Sequence, residues 1–123
     1  MSIKIWEVLS ILFIHWIADF IMQTGWQATN KSKRNDALFY HTISYSLIWL
    51  LPVSCMLGLI YGVYFVVITL FCHTITDFIT SRINSKLWKE NKVHLFFVSI
   101  GFDQFLHFIQ LIISYTLLGS VSM

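Results

Sequence analysis

Three histidine–aspartate pairs, each four residues apart, carry the chemistry of this sequence: His15 with Asp19, His73 with Asp77, and Asp103 with His107. On an α-helix that spacing puts both members of a pair on one face, about one turn apart. A fourth histidine, His41, lies between the first two pairs. Neutral imidazole and carboxylate together are good ligands for zinc, manganese or iron. The seven residues are therefore read as a metal-ligating set, with zinc the first choice of ion and one or two ions open. His41 is read as a ligand or as a general base, and Gln23 and Gln104 as groups that orient ligands by hydrogen bonding. The polar faces extend further, through Thr69, Thr76 and Thr80 beside the second pair and through Gln110 and Ser114 beside the third.

The elements that must position these residues are unusually apolar. Hydrophobic residues make up 57% of the 123-residue chain and charged residues 11%, where a soluble domain carries about a quarter charged. A bilayer core of about 30 Å needs about 20 helical residues. Four segments meet that length, at about 3–22, 38–60, 63–84 and 95–118. Strands are excluded as spans, because open edges cannot be satisfied in lipid. The expectation is an all-α fold, a single domain over 1–123 built as an integral membrane bundle of four transmembrane helices. Pro52 should bend the second span. A short uncharged turn is expected near Tyr61 and Gly62. The first apolar run lacks the pattern of a cleaved signal peptide, since it contains Glu7, His15 and Asp19. Cys55 and Cys72 form no CxxC pair and read as small apolar residues.

Seven of the eight Lys and Arg residues fall in or beside the loops 23–37 and 85–94, and only Lys4 falls on the other side. Basic residues accumulate in cytoplasmic loops. Both loops are therefore placed in the cytoplasm and both termini outside it, in the cell (inner) membrane. Lys31, Lys33, Arg34 and Lys86 stand near the mouth of the bundle, where they could hold an anionic lipid headgroup or a phosphate. The net charge of +2 gives no ground for a nucleic-acid partner. A monomer and a homodimer are both open.

Ionisable groups in a bilayer are expensive and mark function. Three carboxylates in one low-dielectric pocket need compensation, from a divalent metal or from protonated histidines. Three readings follow. The first is a metal-dependent hydrolase acting on a lipid-linked or membrane-proximal substrate. The second is a proton or ion relay, which the almost wholly apolar stretch 47–67 disfavours. The third is a regulatory membrane protein with a structural metal.

Taken in order, the segment His15-Trp-Ile-Ala-Asp19-Phe-Ile-Met-Gln23, then Lys31 or Lys33, His41, His73-Thr-Ile-Thr-Asp77 and Asp103-Gln104-Phe-Leu-His107 resembles domain-of-unknown-function family 3307. The resemblance covers nearly the whole chain and implies a small multi-pass membrane protein of the kind found in bacteria and their phages. It implies no activity. The His/Asp pattern is also similar in kind to membrane-bound metal-dependent hydrolases, a likeness of architecture and ligand type only.

Overall fold

Apart from a closed barrel, only helix satisfies every backbone N–H and C=O within lipid. The computed structural model of the chain describes residues 2–123, and these contain helices and no strand. Helix α1 (Ile5–Trp16) runs directly into a π-helical turn (Ile17–Ile21). A short α2 (Gly25–Asn30) follows, then α3 (Asn35–Ile48) and α4 (Leu50–Leu57), and the long α5 (Leu59–Lys89) and α6 (Val93–Ser122). Among the described residues, three stretches are long and apolar enough to cross a membrane: Asn35–Leu57, Leu59–Lys89 and Val93–Ser122. The expected first span is the short one. Its twelve α-helical and five π-helical residues reach about 25 Å at 1.5 Å per residue.

Pro52 acts as expected, by a break more than a bend. It has no N–H to offer the Ile48 carbonyl, and its ring crowds that carbonyl. The helix is interrupted at Trp49, whose N–H turns back to Ser46 O at 3.2 Å, and the regular pattern resumes with Val53 N–H to Trp49 O at 3.1 Å. The turn expected at Tyr61 and Gly62 lies instead at Gly58, whose φ of 104° suits glycine alone. Tyr61 and Gly62 belong to the first turn of α5. Gly62 serves a different purpose, because a Cβ there would stand 2.0 Å from Ser54 Oγ and 3.0 Å from the Ser54 backbone nitrogen. Its missing side chain lets α4 and α5 touch.

The basic connections are also more ordered than a loop. Thr24 caps α2 through Gln27 in both directions, at 3.1 Å and 3.2 Å, a reciprocal capping box. Helix α5 continues to Lys89, so the connection expected over 85–94 contracts to residues 90–92.

Helix α5 is the hub, packing against α6, α4 and α3, while α1 lies against α6 and the π turn against α3. The interior has two storeys. Away from the basic connections it is apolar, built from Ile11, Trp49, Val53, Phe65, Leu111 and Tyr115. Next to them it is polar, with His15, Asp19, His41, His73, Asp77, Asp103 and His107 all buried. The outer surface is the reverse, exposing Trp6, Phe13, Leu51, Phe71, Phe97 and Leu117. An apolar mantle around a polar interior is the build of an integral membrane protein. Cys55 and Cys72 are both free thiols.

Gly62→Ala should force α4 and α5 apart and lower stability by about 1–3 kcal/mol, read as earlier melting in detergent. Adding Ser54→Ala should recover only part of the loss, because the Ser54 backbone nitrogen remains in the way.

Candidate metal centre

Separate pieces of helix deliver the ligand candidates. The π turn carries Asp19, and its one extra residue per turn, seen in the Met22 N–H bond to Ile17 O at 2.9 Å, swings that carboxylate inward. Such turns recur at functional sites. Helix α3 carries His41, α5 carries His73 and Asp77, and α6 carries Asp103 and His107. All seven residues singled out in the sequence gather in this one buried layer.

Four donor atoms converge there. His41 Nε2 lies 3.0 Å from Asp19 Oδ1, 3.2 Å from Asp77 Oδ2 and 3.2 Å from His73 Nε2. His73 Nε2 lies 3.5 Å from Asp77 Oδ2 and 3.6 Å from Asp19 Oδ1. Tetrahedral zinc holds nitrogen and oxygen ligands at about 2.0–2.1 Å, which sets neighbouring donors about 3.3 Å apart. The five separations bracket that value. Asp19 Oδ1 is moreover buried, and a buried carboxylate oxygen packed against two imidazole nitrogens is what a cation would stabilise. The residues fit a divalent ion.

A second grouping adjoins the first. Asp19, Asp103 and His107 offer donor atoms within 4.8 Å of one another. His107 Nε2 lies 3.1 Å from Asp77 Oδ1 and 3.2 Å from Asp103 Oδ1. Asp103 is held by the Thr80 hydroxyl, which donates to Oδ1, and by Gln104 Nε2, which donates to Oδ2 at 3.0 Å.

The remaining candidates take supporting places. His15 stands at the edge of both groups, with Nε2 donating to Gln104 Oε1 at 2.6 Å and Nδ1 accepting from the Tyr45 hydroxyl at 2.7 Å. Its nearest approach to Asp19 is 3.6 Å. Gln104 thus ties His15 to Asp103. Gln23 does not reach the ligands by a hydrogen bond, and its buried Oε1 has no partner among the described residues. Tyr45 was not singled out, although its place four residues after His41 puts it on the same face. Its ring stacks on His73 at 3.8 Å and 11°, and His73 stacks in turn on His107 at 4.2 Å. The His73 Nδ1 has no partner among the described residues, so these two rings and the contacts of Nε2 hold His73 in place.

The four mouth cations separate. Lys31, at the end of α2, reaches in to Asp77 Oδ2 at 3.1 Å. Burial opposes its charge, but Asp77 and Asp19 outweigh burial and hold its pKa above the ordinary lysine value. A cavity of about 680 Å³ lies between α2, α5 and α6, lined by Lys31, Lys33 and Lys89 together with Trp88, Phe96 and Phe97, and it reaches Asp19, Asp103 and Gln104. Lys86 lines a smaller neighbouring cavity. Arg34 is engaged with Asp36, at 2.7 Å and 3.0 Å.

Fold and site together define a small helical membrane protein with a buried His/Asp centre able to hold a metal ion. The chain belongs to DUF3307, a family described as protein of unknown function, whose family model matches residues 8–123. No curated protein and no solved structure matches the chain.

Tyr45→Phe should keep the stack on His73 while losing the bond to His15, at a loss of about 1 kcal/mol. Tyr45→Ala should lose about 3–5 kcal/mol, by analogy with other large aromatic truncations. Thermal melting in one detergent orders the three proteins.

Proposed function

We propose that this chain is a four-span protein of the cell (inner) membrane that binds a divalent metal within its bundle and uses it for hydrolysis of a lipid-linked or membrane-proximal substrate at the cytoplasmic face. The observation that carries this reading is the convergence of Asp19, His41, His73 and Asp77, from three separate helical segments, at tetrahedral separations. Zinc suits the nitrogen and oxygen donors best, with manganese and iron as competitors.

The first segment serves as the fourth span in this reading. It packs against α6, and a local thinning of the bilayer accommodates its shorter length. The basic connections orient the bundle with loops 23–37 and 85–94 in the cytoplasm and both termini outside. One chain encloses the whole site, so a monomer suffices.

A bound ion with a position left open for water would supply an acidified nucleophile near neutral pH. The chain's own residues do the rest. His41 directs Nε2 among the donors and acts as a ligand in preference to a base. Lys31, Lys33 and Lys89 present ammonium groups to an anionic headgroup or phosphate entering the cavity. Trp88, Phe96 and Phe97 offer an apolar wall to the attached chain. A phosphodiester or an amide in the headgroup region fits this opening.

A relay across the membrane is disfavoured by the apolar storey. The polar face ends where Gln110 Nε2 donates to Thr69 Oγ1 and Ser114 Oγ, at 3.2 Å and 3.1 Å, and Phe65, Leu111, Trp49 and Val53 pack beyond it. A regulatory protein with a structural metal shares the ion and lacks turnover.

Elemental analysis of detergent-purified protein, with His73→Ala alongside, should find zinc, manganese or iron in the wild type and little in the variant. Lipid micelles should then release a headgroup or phosphate in a chelator-sensitive way. Metal without turnover would favour the structural reading. A protein that takes up no metal on reconstitution would overturn the proposal and direct attention to proton flux in liposomes.

A further inference from the structure

The tetrahedral group uses only some of the buried donors. We infer that the bundle holds two divalent ions bridged by Asp19, the second bound by Asp19, Asp103 and His107 and facing the cavity. This inference rests on the metal-binding reading above and extends it.

Asp19 belongs to both donor groups. Its two oxygens diverge, with Oδ1 3.0 Å from His41 Nε2 and Oδ2 turned toward His15. Asp77 divides in the same sense, presenting Oδ2 to His41 and His73 and Oδ1 to His107. Carboxylates that face two ways between two sets of nitrogen and oxygen donors are suited to pairs of ions about 3.5–4 Å apart.

The two sets differ in closure. The first has four protein donors, the number that completes a tetrahedral site. The second has three, the number that leaves a position for water or substrate. Exposure to the cavity leans toward the second set: Asp103 and the shared Asp19 line it, whereas His41, His73, Asp77 and His107 do not. The support around Asp103 is also in place. Thr80 and Gln104 occupy its two oxygens as donors, and Gln104 is itself fixed by His15. Such outer hydrogen bonds orient ligands and are worth about 10–100-fold in metal affinity.

Charge sets the order of filling. One divalent ion with Lys31 balances the carboxylates of Asp19, Asp77 and Asp103, so a second ion enters a site already neutral and binds more weakly. That excess positive charge then faces the cavity, where an anionic group would offset it.

Manganese(II) binding to the full detergent-purified chain tests this, by equilibrium dialysis and electron paramagnetic resonance. The wild type should take up two ions per chain in two steps, and the filled protein should show the exchange-coupled spectrum of a bridged pair. Asp103→Asn should retain the tighter ion alone, with the spectrum of an isolated ion. Thr80→Val keeps every ligand and should weaken only the second step, by about 10–100-fold. Saturation at one ion, or two ions without exchange coupling, would overturn the bridged pair while leaving the single-metal reading intact. No binding at all would overturn both.

Discussion

Three carboxylates buried together in a low-dielectric interior are the constraint from which the rest of this structure follows. Asp19, Asp77 and Asp103 stand within a single layer, and the described residues bring one ammonium group, that of Lys31, into direct contact with them. Uncompensated, such an arrangement would be prohibitive in lipid. Every neighbouring feature reduces that penalty. Histidine nitrogens are aimed at carboxylate oxygens, Thr80 and Gln104 donate to Asp103, and Lys31 folds inward from a connection whose short helix is capped to hold it there.

The helices are arranged to serve that layer. Helix α5 contributes His73 and Asp77 to the first donor group and touches α3, α4 and α6, so its position determines the register of the others. The break at Trp49 leaves α3 free to present His41 and Tyr45 to the layer while α4 follows α5 through the close Ser54–Gly62 contact. Aromatic rings complete the support, since Tyr45, His73 and His107 form a stacked series that holds the imidazole planes.

Much of the centre was legible because helical periodicity is a strong signal. The i, i+4 pairs had to share faces, and in lipid those faces had to turn inward, so the seven residues could be gathered without coordinates. The local irregularities were not legible. Gly58 and Gly62 lie in similar apolar surroundings, and only the packing of α4 on α5 decides which one turns and which one is approached. The π turn that redirects Asp19 leaves no mark in composition. Lys31 sits in a connection without periodicity, so its inward reach depends on the capping of α2. Tyr45 reads as ordinary core until its hydroxyl is seen bonded to His15. The short α-helix of the first segment was not legible, because its apolar run continues past Trp16, where the α-helical geometry gives way to the π turn.

The two-storey interior has an electrical consequence. An applied voltage falls across the part of a membrane protein that excludes water and mobile ions, and here that part is the apolar storey of Ile11, Trp49, Val53, Phe65 and Leu111. The polar layer lies beside the basic connections and opens to a wide cavity, so it shares nearly the potential of the solution on that side. Moving a full charge across a membrane is worth about 2.3 kcal/mol per 100 mV. An ion that enters and leaves this layer from the cavity crosses little of that drop. The occupancy of such an ion would accordingly be governed by the composition of one aqueous compartment and be almost independent of whether the membrane is energised.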